Sequence, residues 1–403
     1  MNVYSMKRDI PKAFVLNMYC TGLGIARNLG KYGIPVVGIS NNNFAPGNFS
    51  RYCDGLVGPD LQKEPEKMLD FLISVGKSES RQGILFPTSD FDINFINNYR
   101  DTLEKYFVLP QPSHEELDLI FNKYRLTETA AYYGIPTPWA LKVSSIRELE
   151  KNKNNLTFPL VAKAIYSNQW RLPGPSAVVG YRKGFIFHNF KDLMKFYKRI
   201  AVYQRDLLLQ EWVSGKDSNY FVMGTYFNRK SECLGAFTAK KTLQFPPDIG
   251  LGCIYKTIKN NEILSLGKKL LNALKFKGLA ELEFKFDKDS HEYKLIEINP
   301  RHWDQHFLGT FCGVNLSYLA YKDLCLGINP IEINQNSEDV YWIRGDGLIG
   351  SIKDDIRKRK ISISKIIHVI PARRKVYSIW NKKDPIPFAI NFFGKILEFI
   401  NFK

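Results

Sequence analysis

Two neighbouring segments of the chain alternate between apolar and polar positions, a pattern that predicts a β-hairpin. Residues 281–286 place an apolar side chain at every second position, and residues 295–299 alternate around two isoleucines. A period of two is typical of a strand with one buried face. With a turn at residues 288–291, Glu283 and Glu297 lie roughly opposite each other on the polar face.

This hairpin is a candidate metal site. Two carboxylates directly across a sheet repel each other unless a cation lies between them. Mg²⁺ prefers hard oxygen ligands and takes one or two carboxylates plus substrate phosphates. We therefore expect Glu283, Glu297 and the carbonyl of Asn299 to bind Mg²⁺ or Mn²⁺ with a nucleotide. A solvated hairpin is the alternative, but Pro300 ends the strand and Arg301 adds a fixed cation beside the proposed phosphates.

The first forty residues predict a βαβ unit. An apolar run at residues 13–18, a glycine turn, an amphipathic helix and a second apolar run at residues 34–40 follow one another. Gly22 and Gly24 in the turn are candidate substrate positions. The third glycine and the acid of a dinucleotide fingerprint are out of register, so close helix packing explains the turn equally well.

A further buried strand begins at Gly83 and ends in polar residues. In open α/β sheets, ligands gather outside the carboxyl ends of the strands. Thr88, Ser89 and Asp90 occupy such an end and are candidate ligand residues.

Four segments resemble one known family. The sequence Glu297-Ile-Asn-Pro-Arg301, with Glu283 fourteen positions earlier, is similar to the metal-binding signature of the ATP-grasp superfamily. Residues 122–138 resemble the start of the central domain of these enzymes, residues 158–163 their second lysine strand, and residues 209–217 their adenine hinge. The motifs occur in the expected order within about residues 13 to 330. The resemblance also implies that the domain before the ATP-grasp domain helps to bind the acceptor substrate, with Thr88, Ser89 and Asp90 as the candidate residues.

The resemblance implies which residues bind ATP. Lys123 and Lys163 would supply point charges to the phosphates from two different elements. The hinge would offer backbone groups to the adenine edge and apolar walls to its ring, and Asp217 would accept from the ribose hydroxyls. The expected hinge residues are Gln210, Glu211, Trp212 and Val213.

The catalytic candidates are cations near the transferred phosphoryl group. Arg301 is one, and either Lys240 or Lys241 is another, because adjacent residues of a strand point to opposite faces. These lysines open a proline- and glycine-rich loop at residues 239–252. A second loop, at residues 166–176, follows the Lys163 strand where the family has a mobile lid, but it is bulkier than a glycine-rich loop.

The implied fold is α/β, with an ATP-grasp domain of two α+β lobes. We expect an N-terminal Rossmann-like domain that precedes it at residues 1–113, the ATP-grasp domain at residues 114–330, and a small basic C-terminal cap with an amphipathic helix at residues 331–403. A chain of 403 residues with 44% hydrophobic side chains can bury several such cores.

Composition predicts a cytoplasmic protein. The six cysteines form no C-x-x-C pair and are expected to be reduced, and no stretch approaches 18 uninterrupted apolar residues. The formal net charge is +17, and residues 351–403 carry 13 Lys and Arg against 4 Asp and Glu. Residues 353–365 and 373–375 hold much of this charge. A solvated helical face on the cap explains such charge equally well. Among the functional explanations, an anionic substrate or an anionic membrane surface fits it, and nucleic acid is the least favoured partner, since no binding module accompanies the charge.

The last helix, residues 388–402, has polar side chains at three- to four-residue spacing and a wide apolar face. At about 1.5 Å per residue it is too short to cross a bilayer, so it packs either on the cap or peripherally on the inner face of the membrane.

The function that we expect is an ATP-grasp carboxylate–amine ligase. It would activate a small-molecule carboxylate as an acylphosphate and join it to an amine of an amino acid, peptide or cell-envelope precursor, with release of ADP and phosphate. Two alternatives stay open: an ATP-grasp small-molecule kinase, and an ATP-binding module of envelope assembly.

Overall fold

The computed structural model describes residues 10–180, 182–245, 250–328, 331–345 and 374–401. These residues form three β-sheets with helices between and around them. Three predicted features fall wholly or partly outside the described residues. They are the basic run 353–365 with Arg373, residues 246–249 of the proline- and glycine-rich loop, and Phe402 at the end of the last helix.

The N-terminal part is a parallel sheet with helices on both faces. Its strands are β1 (Ala13–Leu16), β2 (Val36–Ser40), β3 (Asp54–Val57), β4 (Gly83–Phe86) and β5 (Phe107–Val108), in the order β3-β2-β1-β4-β5. Its helices are α1 (Cys20–Gly30), α2 (Pro65–Lys77), α3 (Asp90–Asn98) and α4 (Arg100–Leu103). Because helices cover both faces, β1, β2 and β4 are buried throughout. The predicted βαβ unit is confirmed by the parallel pairing of β1 with β2.

A smaller antiparallel sheet follows. After α5 (His114–Phe121) and α6 (Lys123–Tyr132) come β6 (Ala140–Val143), α7 (Ile146–Lys151), β7 (Leu160–Lys163), α8 (Pro173–Val179), β8 (Phe185–Phe187), α9 (Phe190–Ile200) and β9 (Leu207–Glu211). The strand order is β6-β9-β7-β8. Apolar residues of β7, β9, α7 and α9 form the core beneath it. We call this unit the small lobe.

The largest sheet has eight strands. They are β10 (Tyr220–Phe227), β11 (Cys233–Phe245), β12 (Leu251–Thr257), β13 (Gly278–Asp287), β14 (Glu292–Asn299), β15 (Ile333–Asn334), β16 (Val340–Ile343) and β17 (Arg374–Tyr377). The order is β14-β13-β10-β11-β12-β16-β17, and β15 pairs with β11. Helices α10 (Asn261–Ala273), α11 (Phe307–Phe311) and α12 (Leu316–Leu326) accompany it. We call this unit the large lobe.

The C-terminal strands belong to this sheet. β16 pairs with β12 and β17 pairs in parallel with β16, and Trp342 of β16 is fully buried. The structure thus differs from the expected small cap, because strands of four residues satisfy their backbone groups by extending an existing edge.

The chain then returns to the N-terminal sheet, where a buried ion pair holds it. Asp384 Oδ2 accepts from Arg27 Nε at 2.9 Å and from Ser50 Oγ at 2.7 Å, and its Oδ1 accepts from the Arg51 backbone N–H at 3.0 Å. The side chains of Asp384 and Arg27 are 1% and 2% exposed. Helix α13 (Ile386–Asn401) starts two residues later, so the pair holds the chain just before this helix.

Helix α13 contacts the 3₁₀ helix Pro46–Phe49 of the N-terminal domain. This helix was expected to pack on the cap, but it packs on the N-terminal domain instead. Several of its apolar side chains remain exposed, namely Ile386, Phe388, Phe392, Phe393 and Ile396. Within the described ranges, no helix combines the length and apolar character needed to cross a membrane. No disulfide joins any of the six cysteines, all of which lie in the described ranges.

Candidate functional site

A cleft of about 410 Å³ opens between the small and the large lobe. Residues of β7 and β9 line one wall, and residues of β10, β11, β13 and β14 line the other. The residues after β4 in the N-terminal domain close one end, as expected for the carboxyl end of a parallel strand.

The predicted hairpin of β13 and β14 forms part of this cleft. Glu283 pairs with Glu297 and Glu281 pairs with Asn299, so the predicted opposition of the two acids is confirmed. A β-bulge follows Glu283 and shifts the register. As a result Leu295 lies in the core, whereas Ile296, expected on the apolar face, lines the cleft.

Glu281 is a third acid at the site, and the sequence reading did not select it. Its Oε1 accepts from Gln305 Nε2 at 2.6 Å and its Oε2 accepts from Asn299 Nδ2 at 3.1 Å. Burial, together with the charge of Glu283, raises the pKa of Glu281 well above its ordinary value. The period-two spacing from Glu283 was the signal that could have identified it.

The donor set fits a magnesium ion that completes its coordination with phosphate oxygens. In the part of the chain that the structure describes, no three side chains of His, Cys, Asp or Glu are grouped so as to hold a metal by themselves. Glu283 and Glu297 offer two carboxylates, which is the number that Mg²⁺ commonly takes beside a nucleotide. The Asn299 carbonyl also accepts a hydrogen bond from Arg301 Nη2 at 3.4 Å.

Three ammonium groups converge on Glu297 from different elements. Lys123 begins α6, Lys163 ends β7, and Lys183 precedes β8. Burial raises the pKa of Glu297, but the charges of Lys183, Lys123 and Lys163 outweigh it and lower the pKa to about 2. Lys183 was not predicted, since a single lysine between two elements carries no periodic signal.

Burial has the opposite effect on the lysines. It lowers the pKa of Lys163 to about 8, although Glu297 partly offsets the effect, and it lowers the pKa of Lys123 in the same way. Lys123 Nζ donates to Ser167 Oγ at 2.6 Å, and Lys163 Nζ donates to Gln210 Oε1 at 3.0 Å. A buried cation without a counter-charge is energetically costly. This group of lysines therefore favours a polyanionic ligand.

The proposed adenine hinge lies at the end of β9. Glu211 turns its carboxylate to Lys294 Nζ, at 2.8 Å, and to the backbone N–H of Trp139, at 3.1 Å, so its side chain ties the small lobe to β14. Trp212 faces Lys285, whose Nζ lies 4.2 Å from the centre of a Trp212 ring. Val213 is buried beside them.

Asp217 follows the hinge and accepts from Gln244 Nε2 at 2.9 Å. Gln244 in turn accepts from Lys241 Nζ at 3.3 Å. A polar chain therefore runs from the proposed ribose residue to the proposed catalytic lysine.

The orientation of β11 shows which of the two candidate lysines faces the cleft. Lys241 lines the cleft, is 4% exposed and places its Nζ 3.9 Å from Glu283 Oε2. Lys240 instead lies over the ring of Phe221 at 5.3 Å, and it does not line the cleft. Alternation along the strand puts the two on opposite faces, so Lys240 is withdrawn as a catalytic candidate.

Arg301 connects the hairpin to the N-terminal domain. Its Nε donates to Asp90 Oδ1 at 2.7 Å. Thr88 and Ser89 line the cleft as well, but their hydroxyl groups also serve the fold: Thr88 Oγ1 donates to the carbonyl of Leu16 at 3.0 Å, and Ser89 caps α3. Asp90 is thus the member of this group with a direct link to the site.

The structure does not bring Gly22 and Gly24 into the cleft lining. Both lie in α1, where a Cβ on Gly22 would be 2.4 Å from the Asn17 carbonyl oxygen and one on Gly24 would be 2.8 Å from His306 Nε2. Close helix packing therefore accounts for these glycines, and they are withdrawn as substrate residues.

Comparison with known proteins agrees with this architecture. The chain is 25% identical to a D-aspartate ligase of Enterococcus faecium over 345 residues, which are 81% of this chain and 80% of that protein. No protein-family model matches the chain.

Solved structures share the fold. The L-amino acid ligase of Bacillus licheniformis aligns with a TM-score of 0.59 at 16% identity, over 78% of this chain and 74% of that one. The biotin carboxylase domain of the Hydrogenobacter thermophilus 2-oxoglutarate carboxylase, solved with MgADP, ADP and bicarbonate, aligns with a TM-score of 0.64 at 15% identity, over 83% and 74%. The chain therefore shares the fold of ATP-grasp enzymes.

Proposed function

We propose that this enzyme phosphorylates a carboxylate of an amino acid and joins the resulting acyl group to the amine of a peptide or cell-envelope precursor. The observation that carries the proposal is the convergence of Lys123, Lys163 and Lys183 on the acids of the hairpin within the cleft between the lobes. The likeness to a D-aspartate ligase supports an aspartate-like amino acid as the carboxylate substrate.

The reaction would have two steps. A carboxylate oxygen attacks the γ-phosphorus of ATP, the bond to ADP breaks, and an acylphosphate forms. The amine nitrogen then attacks the acyl carbon, phosphate leaves, and the nitrogen loses a proton as the amide forms. Charge neutralisation and positioning supply most of the catalysis in such phosphoryl transfers.

The roles of the residues follow from their positions. Glu283, Glu297 and Asn299 would hold Mg²⁺, which neutralises phosphate charge when bound. Lys241 approaches the same acids from β11 and would face the transferred group. Arg301, oriented by Asp90, would bind the acylphosphate or the substrate carboxylate at the end of the cleft formed by the N-terminal domain.

The test of this function is a screen for ADP release with mass analysis of the products. D-aspartate, L-aspartate, D-glutamate and L-glutamate would be tried as carboxylates, each with and without an amine such as a lysine-containing peptide. ADP release that needs both substrates and yields an amide supports the ligase. A phosphorylated product with no amide would identify a kinase, and ATP binding without stimulated ADP release would favour the envelope-assembly module.

We expect Lys163→Ala to weaken ATP binding by roughly 10- to 100-fold, because a hydrogen bond to a charged group contributes about 1.5–3 kcal/mol. Binding of the carboxylate substrate should change much less, since Lys163 is held by Gln210 on the hinge strand. Titration calorimetry measures both affinities. Lys142→Ala, which removes an exposed lysine from β6, is the control, and equal ATP affinity in all three proteins would contradict the role.

We further propose that α13 attaches the enzyme peripherally to an anionic membrane surface. Phe392 and Phe393 are 53% and 61% exposed in this helix, and basic residues dominate the C-terminal segment. An exposed apolar stripe beside positive charge is the composition of interfacial helices.

The enzyme should accordingly sediment with vesicles that contain anionic lipid, and less with neutral vesicles. Added salt should weaken the binding, because exposed charges are screened beyond about 8 Å at physiological ionic strength. Replacing both Phe392 and Phe393 by Ser should release the protein while ADP formation persists. Tyr132→Ser is the matched control, since Tyr132 is 84% exposed elsewhere on the surface. If the double variant sediments like the wild type, the helix is not the anchor.

A further inference from the structure

The segment that covers the cleft is folded into helical turns. Residues Ser167–Arg171 form a 3₁₀ helix and α8 follows it. Trp170 is 3% exposed and packs edge-on against Phe185 and Phe196, at 5.9 and 6.1 Å between ring centres. We call residues 166–180 and 182–184 the lid. Helical turns and two prolines, Pro173 and Pro175, take the place of an open loop here, and the lid contributes several side chains to the cleft lining.

The first residue of the lid is fastened to α5 and to the residue that caps α6. Tyr166 Oη donates to Asp118 Oδ1 at 2.9 Å and accepts from Asn122 Nδ2 at 3.1 Å. At the other end, Gly184 packs on the stem of Lys163, where an added Cβ would lie 3.2 Å from Lys163 Cγ. Both ends are therefore fixed beside the phosphate lysines.

The lid brings its own cations to the cleft. Arg171, Arg182 and Lys183 all belong to its lining. The guanidinium carbon of Arg182 lies 5.2 Å from the centre of the Phe185 ring. This contact holds Arg182 at the edge of the cleft. Lys183 interacts electrostatically with the carboxylates of Glu297, Glu283 and Asp90.

The order of the lysines along the cleft separates their roles. Lys163 also interacts with Glu297 and Glu283, but its ammonium group is hydrogen-bonded to Gln210 of the hinge strand. Lys183 interacts electrostatically with Asp90 and Arg301, which lie at the opposite end, where the carboxylate substrate would enter. A nucleotide bound from the hinge toward Arg301 presents its γ-phosphate last.

We propose that Lys183 binds the γ-phosphate of ATP, so that a side chain of the lid takes the place that backbone amides of a glycine-rich loop would otherwise fill. This inference rests on the proposed function and adds to it the residue that distinguishes ATP from ADP. A lysine is suited to this task, because its ammonium group is a compact charge with three donors. Because the lysine stem is flexible, the ammonium group of Lys183 would stay in contact with the phosphoryl group while the carboxylate attacks it.

Equilibrium binding tests the proposal without turnover. Calorimetry with magnesium would compare ADP and the imido analogue of ATP, whose γ-phosphate is not transferred. We expect Lys183→Ala to weaken binding of the analogue by roughly 10- to 100-fold and binding of ADP by less than about threefold. Lys183→Arg keeps a cation and should restore most of the affinity. Lys195→Ala, on the exposed face of α9, is the control and should bind both like the wild type.

Each other outcome has a definite meaning. Equal losses for both nucleotides would place Lys183 on the α- or β-phosphate, and unchanged affinities would remove it from the nucleotide site; either result overturns the inference. A wild-type protein that binds neither nucleotide would instead refute the proposed function. Circular dichroism of Lys183→Ala should match the wild type, because the side chain is exposed to the cleft.

Discussion

Glu297→Gln is expected to reduce ADP formation by about 10³-fold or more. The three lysines hold the pKa of Glu297 near 2, so the residue is ionised throughout the neutral range and the amide removes a full charge. A metal ion contributes several kcal/mol to a charged transition state, and each 1.36 kcal/mol is a factor of ten in rate. Steady-state ADP release with saturating carboxylate and amine measures the effect.

The substitution keeps the volume of the side chain and leaves the core of the hairpin, around Phe284 and Ile298, untouched. Circular dichroism and gel filtration should therefore match the wild type. Glu292→Gln removes an exposed acid from the start of the same strand and is the matched control, with activity expected to remain unchanged. Turnover of Glu297→Gln at the wild-type rate would show that β14 does not carry the metal site.

The hairpin could be predicted because its information is local. Alternation along two adjacent strands, with a short turn between them, places Glu283 opposite Glu297 without knowledge of the rest of the chain. The bulge after Glu283 could not be predicted in this way, because a bulge adds one residue without breaking the apolar character of the strand. For that reason Ile296 was expected in the core, although it faces the cleft.

Other site residues depend on tertiary placement. Lys183 reaches Glu297 only because the lid crosses the cleft, and neither its sequence neighbours nor any period marks it. Alternation showed that only one of Lys240 and Lys241 faces the cleft. The choice between them required knowledge of which face of β11 lines the cleft. Motifs therefore located the site, whereas the fold selected among the cations around it.

The C-terminal segment shows the same limit over a longer distance. β16 and β17 have four residues each, and the strand β12 that β16 joins lies about eighty residues earlier in the chain. Short strands of this kind show little hydrophobic periodicity. The prediction of a separate cap therefore rested on the basic charge of the segment. Asp384 is similar, because nothing near it indicates that Arg27 will be its partner.

Asp384→Ala is expected to lower the free energy of unfolding by about 3–5 kcal/mol, one of the largest effects open to a single substitution outside the cleft. The change leaves the guanidinium of Arg27 buried without its carboxylate, and it also removes acceptors from Ser50 and the Arg51 backbone. Urea denaturation followed by circular dichroism measures the loss. Limited proteolysis should cut earlier near α13, since Asp384 holds the chain just before that helix.

Glu79→Ala provides the comparison, because it removes an ion pair of similar length from the surface of the same domain. Lys12 Nζ lies 2.8 Å from Glu79 Oε1, but the lysine side chain is 40% exposed. Water and salt screen such a pair, so its loss should cost no more than about 1 kcal/mol. Equal destabilisation by the two substitutions would contradict the role of the buried pair. A larger loss in Asp384→Ala, with ADP formation retained below the melting transition, would establish that this ion pair fixes the C-terminal helix to the fold and lies apart from the chemistry of the cleft.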